Sequence, residues 1–235
     1  MRLDELFKNL GYIAASIGSQ MRDGAYAGVP LEELDLTGEA PRKVALLGPA
    51  QVVLSEGDVF RVDVEPGPTG EDVVFSLADG KLGVAGGDAD AVVRITLPAP
   101  SKLTIAGSGR MTAAKLAADG KVSIAGSGRL EVASAEGGCL KASLAGSGRL
   151  IVDGHVDELE LSIAGSGSCD AEGLVAGKAT VHIAGSGDAI FTCNGEVAAH
   201  LMGSGNVIVR GSARCNVHSM GSGTLTCERE REAAP

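Results

Sequence analysis

The chain of 235 residues contains 35 glycines and 8 prolines, four Phe, two Tyr and no Trp, with 44% hydrophobic and 21% charged residues. This length allows one or two domains with a sizeable core; the apolar content excludes low-complexity disorder, and so few prolines exclude a collagen repeat. The net charge of −10 excludes a general nucleic-acid binder, whose affinity comes largely from neutralising phosphates.

Residues 1–23 predict an amphipathic helix, because Leu3, Leu6, Phe7, Leu10, Ala14, Ile17 and Met21 fall on one face. Asp4, Glu5 and Lys8 interrupt what a signal peptide would need as an unbroken apolar stretch, and no run of about 18 apolar residues occurs anywhere. No transmembrane segment is therefore expected, and a cytoplasmic location follows by default. The polar face mixes acids and bases, unlike the Lys/Arg-rich face of a membrane-surface helix. The helix is expected to cap the domain that follows or to make an oligomer contact. A linker spans 24–41.

Residues 42–100 predict irregular opening coils of a solenoid. LLGPAQVVL (46–54) places Gly-Pro-Ala where later coils carry Gly-Ser-Gly, and FSLADGKLGV (75–84) resembles SLAGSGRLIV further on. FRVDVE and VVFSL alternate as strands, with a turn from Pro66 to Gly70.

From 101 to 227 the pattern becomes regular. The corners are Gly107-Ser108-Gly109, Gly126-Ser127-Gly128, Gly146-Ser147-Gly148, Gly165-Ser166-Gly167, Gly185-Ser186-Gly187, Gly203-Ser204-Gly205 and Gly221-Ser222-Gly223, at intervals of 18 to 20 residues. Two residues before each first glycine stand Ile105, Ile124, Leu144, Ile163, Ile183, Leu201 and Ser219; two earlier stand Leu103, Val122, Ala142, Leu161, Val181, Ala199 and Val217. The fourth and sixth residues after it are apolar at every corner, counting Ala and Cys. The interleaved positions hold only Ile151, Ile190, Ala198 and Ile208 as apolar residues. Alternation with a period of two on both sides of a glycine corner means strands. A unit of this kind buries its inner face only by stacking on copies of itself, which predicts an all-β parallel β-helix of about nine coils. Glycine gives the corner its backbone freedom, and the serine hydroxyls are placed to hydrogen-bond between coils. A polar tail, 228–235, closes the chain.

Cys139, Cys169, Cys193, Cys215 and Cys227 are odd in number and form no C-x-x-C pair, so reduced thiols are expected. Catalytic motifs are not found. The recurring A-G-S-G lacks the spacing of a nucleophile elbow, and neither a phosphate-binding loop nor a G-x-G-x-x-G opening a helix is present. Only Gly86-Gly87-Asp88 hints at a calcium-binding repeat. Glu131, Glu160, Asp170 and Asp188 are dispersed, and a carbohydrate-cleaving groove would also want aromatics. No enzyme activity and no cofactor are expected.

Three outward columns stand out. His182, His200 and His218 lie three residues before consecutive corners, near enough for two imidazoles to share zinc or copper. A flat ladder does not converge tetrahedrally, so the plainer reading is a solvated stack, with a pH-sensitive contact surface as a further option. Lys102, Lys121 and Lys141 share the position five before the corner, and Arg110, Arg129 and Arg149 the position three after it. These six form either a solvated face that discourages lateral sheet association or a binding surface for an anionic glycan or an acidic protein segment. Ile151, Ile190 and Ile208 offer an apolar line for self-association.

The run AVVRITLPAPSKLTIAGSGRMTA (91–113), the AGSG coils after it, and the preceding GPAQVVLSEGDVFRVDVEP and DGKLGV resemble the auto-transporter adhesin head domain family, the GIN domain. The resemblance covers roughly residues 42–227. It implies a bacterial, single-stranded, right-handed β-helix, carried as a rule by envelope or secreted proteins. The expected function is that of a non-enzymatic structural or interaction module, in adhesion or envelope-associated binding and with homo-oligomers allowed. The alternatives are a self-assembling scaffold of the bactofilin sort and a polysaccharide-binding or polysaccharide-acting β-helix.

Overall fold

The computed structural model describes residues 28–65 and 72–228. After a short 3-10 turn at Leu31–Glu33 come β1 (Lys43–Leu47), β2 (Gln51–Glu56), β3 (Arg61–Val64), β4 (Val73–Ala78), β5 (Lys81–Gly86) and β6 (Val92–Leu97). The regular part holds β7 (Lys102–Gly107), β8 (Arg110–Ala113), β9 (Lys121–Gly126), β10 (Arg129–Glu136), β11 (Cys139–Gly146), β12 (Arg149–Gly165), β13 (Ser168–Gly185), β14 (Asp188–Gly203), β15 (Asn206–Arg210), β16 (Arg214–Gly221) and β17 (Thr224–Glu228). All of them join one sheet that winds into an all-β solenoid of about seven turns.

The repeat stacks in register. Gly107 lies opposite Gly126, Gly126 opposite Gly146, and so on to Gly203 opposite Gly221. Each turn therefore has one face before the corner and one after it. A short third side follows, where Ala135 lies opposite Gly154 and Gly154 opposite Leu174. Alternation sends Leu150, Val152, Val156, Leu159, Leu161 and Ile163 of one turn inward, each at most 1% exposed. Identical ladders of medium aliphatics suit a narrow, close-packed core, and Phe75 and Phe191 are its only fully buried aromatics among the described residues.

The corner works differently from expectation. The serines of all seven corners are exposed; the rung-to-rung bonds run through their backbones, as in Ser127 N–H to the Gly107 carbonyl (3.0 Å) and Ser147 N–H to that of Gly126 (3.0 Å). Each glycine has its own reason. Gly126 sits at φ +115°, and a Cβ there would lie 2.5 Å from the Gly107 carbonyl oxygen; a Cβ on Gly128 would meet the Ile105 side chain at 2.6 Å.

The upstream segment corrects the expectation of nine coils in chain order. β1 pairs with β5 on one side and β7 on the other, and β2 likewise lies between β6 and β8. The first strand pair of the chain, β1 and β2, is thus inserted between β5 and β6 on one side and the regular turns on the other. Segment 75–84, expected to be a coil, is a hairpin in which β4 runs antiparallel to β5. Its turn residues Asp79 and Gly80 have φ of 51° and 66°, the left-handed pair of a type I′ turn that Asp-Gly favours. β3 also runs antiparallel, against β6.

These antiparallel strands, with Val29 bridged to Phe75 and Leu31, Leu34 and Leu36 packed on the core, close the N-terminal end. The helix expected over 1–23 lies outside the described residues. At the other end Val217 is 44% and Met220 75% exposed. There Cys215 and Cys227 form a disulfide, correcting the expectation that all five thiols are reduced. They are 12 residues apart in columns that both face inward on the two sides of the last corner, so the winding brings them together. Cys139, Cys169 and Cys193 are free; burial pushes the Cys169 thiol up to about 12, with Asp170 adding to it.

Candidate functional site

The lysine column is longer than the sequence period shows. Lys81 lies opposite Lys43, Lys43 opposite Lys102, Lys102 opposite Lys121 and Lys121 opposite Lys141. The inserted rung supplies Lys43 and the hairpin supplies Lys81, neither of which carries a Gly-Ser-Gly signal. All five are exposed or half-buried. Two unit charges one rung apart, at ~4.8 Å, repel by about 1 kcal/mol in water and by more near a protein surface. Burial, then Lys81, Lys121 and Lys43, hold the Lys102 ammonium below the usual lysine range.

The column ends on an acid. Lys141 Nζ donates to Glu160 Oε2 at 2.6 Å, and this bond raises its pKa. Glu160 stands one rung on, opposite Lys141. Among the described residues no carboxylate forms an ion pair with Lys43, Lys81, Lys102 or Lys121.

The arginine column lies on a separate ladder, across the corner, where Arg110, Arg129 and Arg149 stack in register. Among the described residues only Arg129 of this column is paired with a carboxylate. Arg129 Nε donates to Glu131 at 2.5 Å and Arg149 Nε to Ser168 Oγ at 3.2 Å. The column then continues through Asp188, which accepts from Asn206 N–H and Nδ2 at 3.0 and 3.1 Å, and on to Thr224. Lysines and arginines therefore stand on separate ladders, and the lysine ladder carries the longer run without a carboxylate partner, four ammonium groups against the two guanidinium groups of Arg110 and Arg149.

The three histidines stack. Ring centroids of His182 and His200 are 4.8 Å apart with planes at 8°, and those of His200 and His218 are 5.4 Å apart at 13°. In parallel rings the nitrogen lone pairs point the same way and do not converge, whereas a shared zinc needs each nitrogen at ~2.0–2.1 Å. What the stack can do is titrate: burial, then the His200 ring, hold His182 below the ordinary histidine range. Ile190 and Ile208 are register neighbours, but Asp170 separates Ile151 from Ile190. The isoleucines are thus not one continuous patch.

One cluster has no signal in the sequence. Cys139, Glu158 and Glu160 bring a sulfur and two carboxylates within 4.8 Å of one another, because Cys139 lies opposite Glu158 and Lys141 opposite Glu160. Burial, then Glu160, raise the Cys139 thiol, and the Lys141 ammonium already occupies Glu160. The group forms the acidic end of the lysine ladder.

The family described as "Putative auto-transporter adhesin, head GIN domain" matches residues 40–213. The chain belongs to this family. The last turn, with its disulfide and His218, lies beyond the matched segment of this GIN-domain protein. Among solved structures, a "putative lipid binding protein" from Parabacteroides distasonis is 22% identical with a TM-score of 0.63, covering 80% of this chain and 93% of its own. A "putative adhesin" from Bacteroides fragilis is 16% identical with a TM-score of 0.67, covering 81% and 93%. Another from Parabacteroides merdae is 18% identical with a TM-score of 0.61, over the same shares. At these identities the likeness is one of fold. No curated protein matches the sequence significantly. No described helix is long and apolar enough to cross a membrane.

Proposed function

We propose that this GIN-domain protein is a rigid, non-enzymatic binding module of the cell envelope or of secreted material, acting in adhesion. The observation that carries the reading is the lysine ladder, four of whose five ammonium groups have no carboxylate partner, on a chain of net charge −10, a fixed surface that can recognise a partner without reacting with it. The Cys215–Cys227 disulfide supports an oxidising location, in place of the cytoplasmic one expected from the N-terminal sequence. A right-handed wind and a lid formed by residues 1–23 belong to the same proposal. Blocking thiols in intact cells before fractionation tests it. The protein should be recovered in the envelope or medium with one disulfide, and should bind glycans or surface proteins without turning them over. A reduced, cytosolic protein would sink it.

The open end favours a second reading, a self-assembling scaffold. Exposed Val217 and Met220 and the outer edge of β16 could pair with another copy. Filaments in negative-stain micrographs would select this reading, and short single rods would remove it.

A further inference from the structure

Five lysines in one straight column offer positive charge at a fixed repeat of ~4.8 Å over roughly 19 Å, ending at Glu160. We propose that this ladder is the binding track for a linear acidic polysaccharide with one carboxylate per sugar, lying along the solenoid axis. The inference rests on the binding-module reading and names the partner class.

The geometry selects this partner in three ways. The lysine rungs repeat every ~4.8 Å, close to the length of one sugar in an extended pyranose chain, so the carboxylates that a polymer laid along the column turns toward it fall within reach of the long, flexible ammonium side chains. Next to the lysines on the same face runs the register ladder Thr104, Ser123 and Ser143, of which Thr104 and Ser143 are partly exposed and Ser123 is buried; the two exposed hydroxyls are suited to those that a sugar carries between its acids. Single-stranded nucleic acid would need aromatic platforms for its bases, whereas among the described residues Phe75 and Phe191 are 1% and 0% exposed and Phe60 packs on the core. The two phosphate rows of a duplex wind away from a straight column.

Mutual repulsion along the ladder adds a thermodynamic reason. Lys102, in the middle, is held below the usual lysine range first by burial and then by Lys81, Lys121 and Lys43, and a polyanion lying across the column relieves the part that is repulsion. Each contact is weak and exposed; affinity comes from several acting at once, so a polymer should bind where its monomer does not.

The test uses the full chain with polygalacturonate as the probe, in affinity electrophoresis and calorimetry. The protein should bind polygalacturonate at low salt, lose affinity as salt rises, and bind neither galacturonate monomer nor dextran. The variant K43Q/K102Q/K121Q should lose affinity about tenfold or more with its β-sheet circular dichroism unchanged, while R110Q/R129Q/R149Q stays within about twofold. Single Lys102→Gln, with an intermediate loss, covers the case in which the triple variant fails to fold. Equal binding by the folded lysine variant, or no binding of polygalacturonate by the parent, overturns the track. So does equally tight, equally lysine-dependent binding of single-stranded DNA or anionic vesicles. Ladder-independent binding of a neutral glycan or of a surface protein would leave the binding-module reading standing while the track fails.

Discussion

At the scale of single residues, the corner glycines carry the sharpest constraint. Gly126 combines a positive φ of 115° with a neighbouring carbonyl oxygen 2.5 Å from where a Cβ would sit. Gly126→Ala should therefore cost about 3 kcal/mol or more in urea denaturation, since a left-handed backbone alone costs ~1–2 kcal/mol for a side chain. Ser127→Ala should change stability by less than about 0.5 kcal/mol, because its backbone rather than its hydroxyl bonds to the next rung. The histidine stack gives a pH signature. With the folded-state value of His182 lowered from 6.5, both states are neutral above that pH and the full stability is present. As pH falls through 6.5 the unfolded chain takes up the proton first, so stability declines until the folded ring also titrates. Thermal unfolding should show a lower Tm at pH 5 than at pH 7.5, and His182→Gln should narrow the difference.

At the scale of elements, the two ends of the solenoid solve the same problem differently. Antiparallel β3 and β4 and the apolar residues of 28–36 cover the core at one end. At the other, β16 and β17 are tied by Cys215–Cys227, and their remaining side chains are mostly exposed. Closing a loop of this length contributes about 3 kcal/mol by chain entropy. Cys215→Ala/Cys227→Ala should therefore raise amide exchange in β16 and β17 while leaving β9 to β12 protected. Uniform loss of protection along the chain would show that the last turn is not an independent unit.

At the scale of the whole molecule, each turn touches only its neighbours, so stability is close to a sum of turn and interface contributions. Protection from hydrogen exchange should peak in the central turns and fall toward β17 more steeply than toward the capped end. Equal decay at both ends would contradict the closure by β3 and β4. The lysine ladder is also a property at this scale. Three of its five members share a position in the regular Gly-Ser-Gly repeat and Lys43 holds the same offset before Gly48; the insertion of an early strand pair between later ones sets Lys43 between Lys81 and Lys102.

The amino-acid sequence by itself determined the regular turns, their register, the inward aliphatic ladders and the outward histidine, lysine and arginine columns. Side-chain alternation has a period of two, and stacked copies of one repeat can only align corner on corner. The sequence was silent where contacts depend on how separate segments are threaded. Ala-Asp-Gly resembled a corner but made a hairpin, since Asp-Gly accepts two left-handed residues in succession. Cys215 and Cys227 looked dispersed, yet they face each other across one turn. Lys43 stands five before Gly48, as the later lysines stand before their corners, but nothing local says that it lies between Lys81 and Lys102. The tertiary structure alone decided that Lys43 and Lys81 extend the ladder and that Glu160 ends it, because backbone pairing between segments far apart in the chain, rather than any local periodicity, fixes which charges become neighbours.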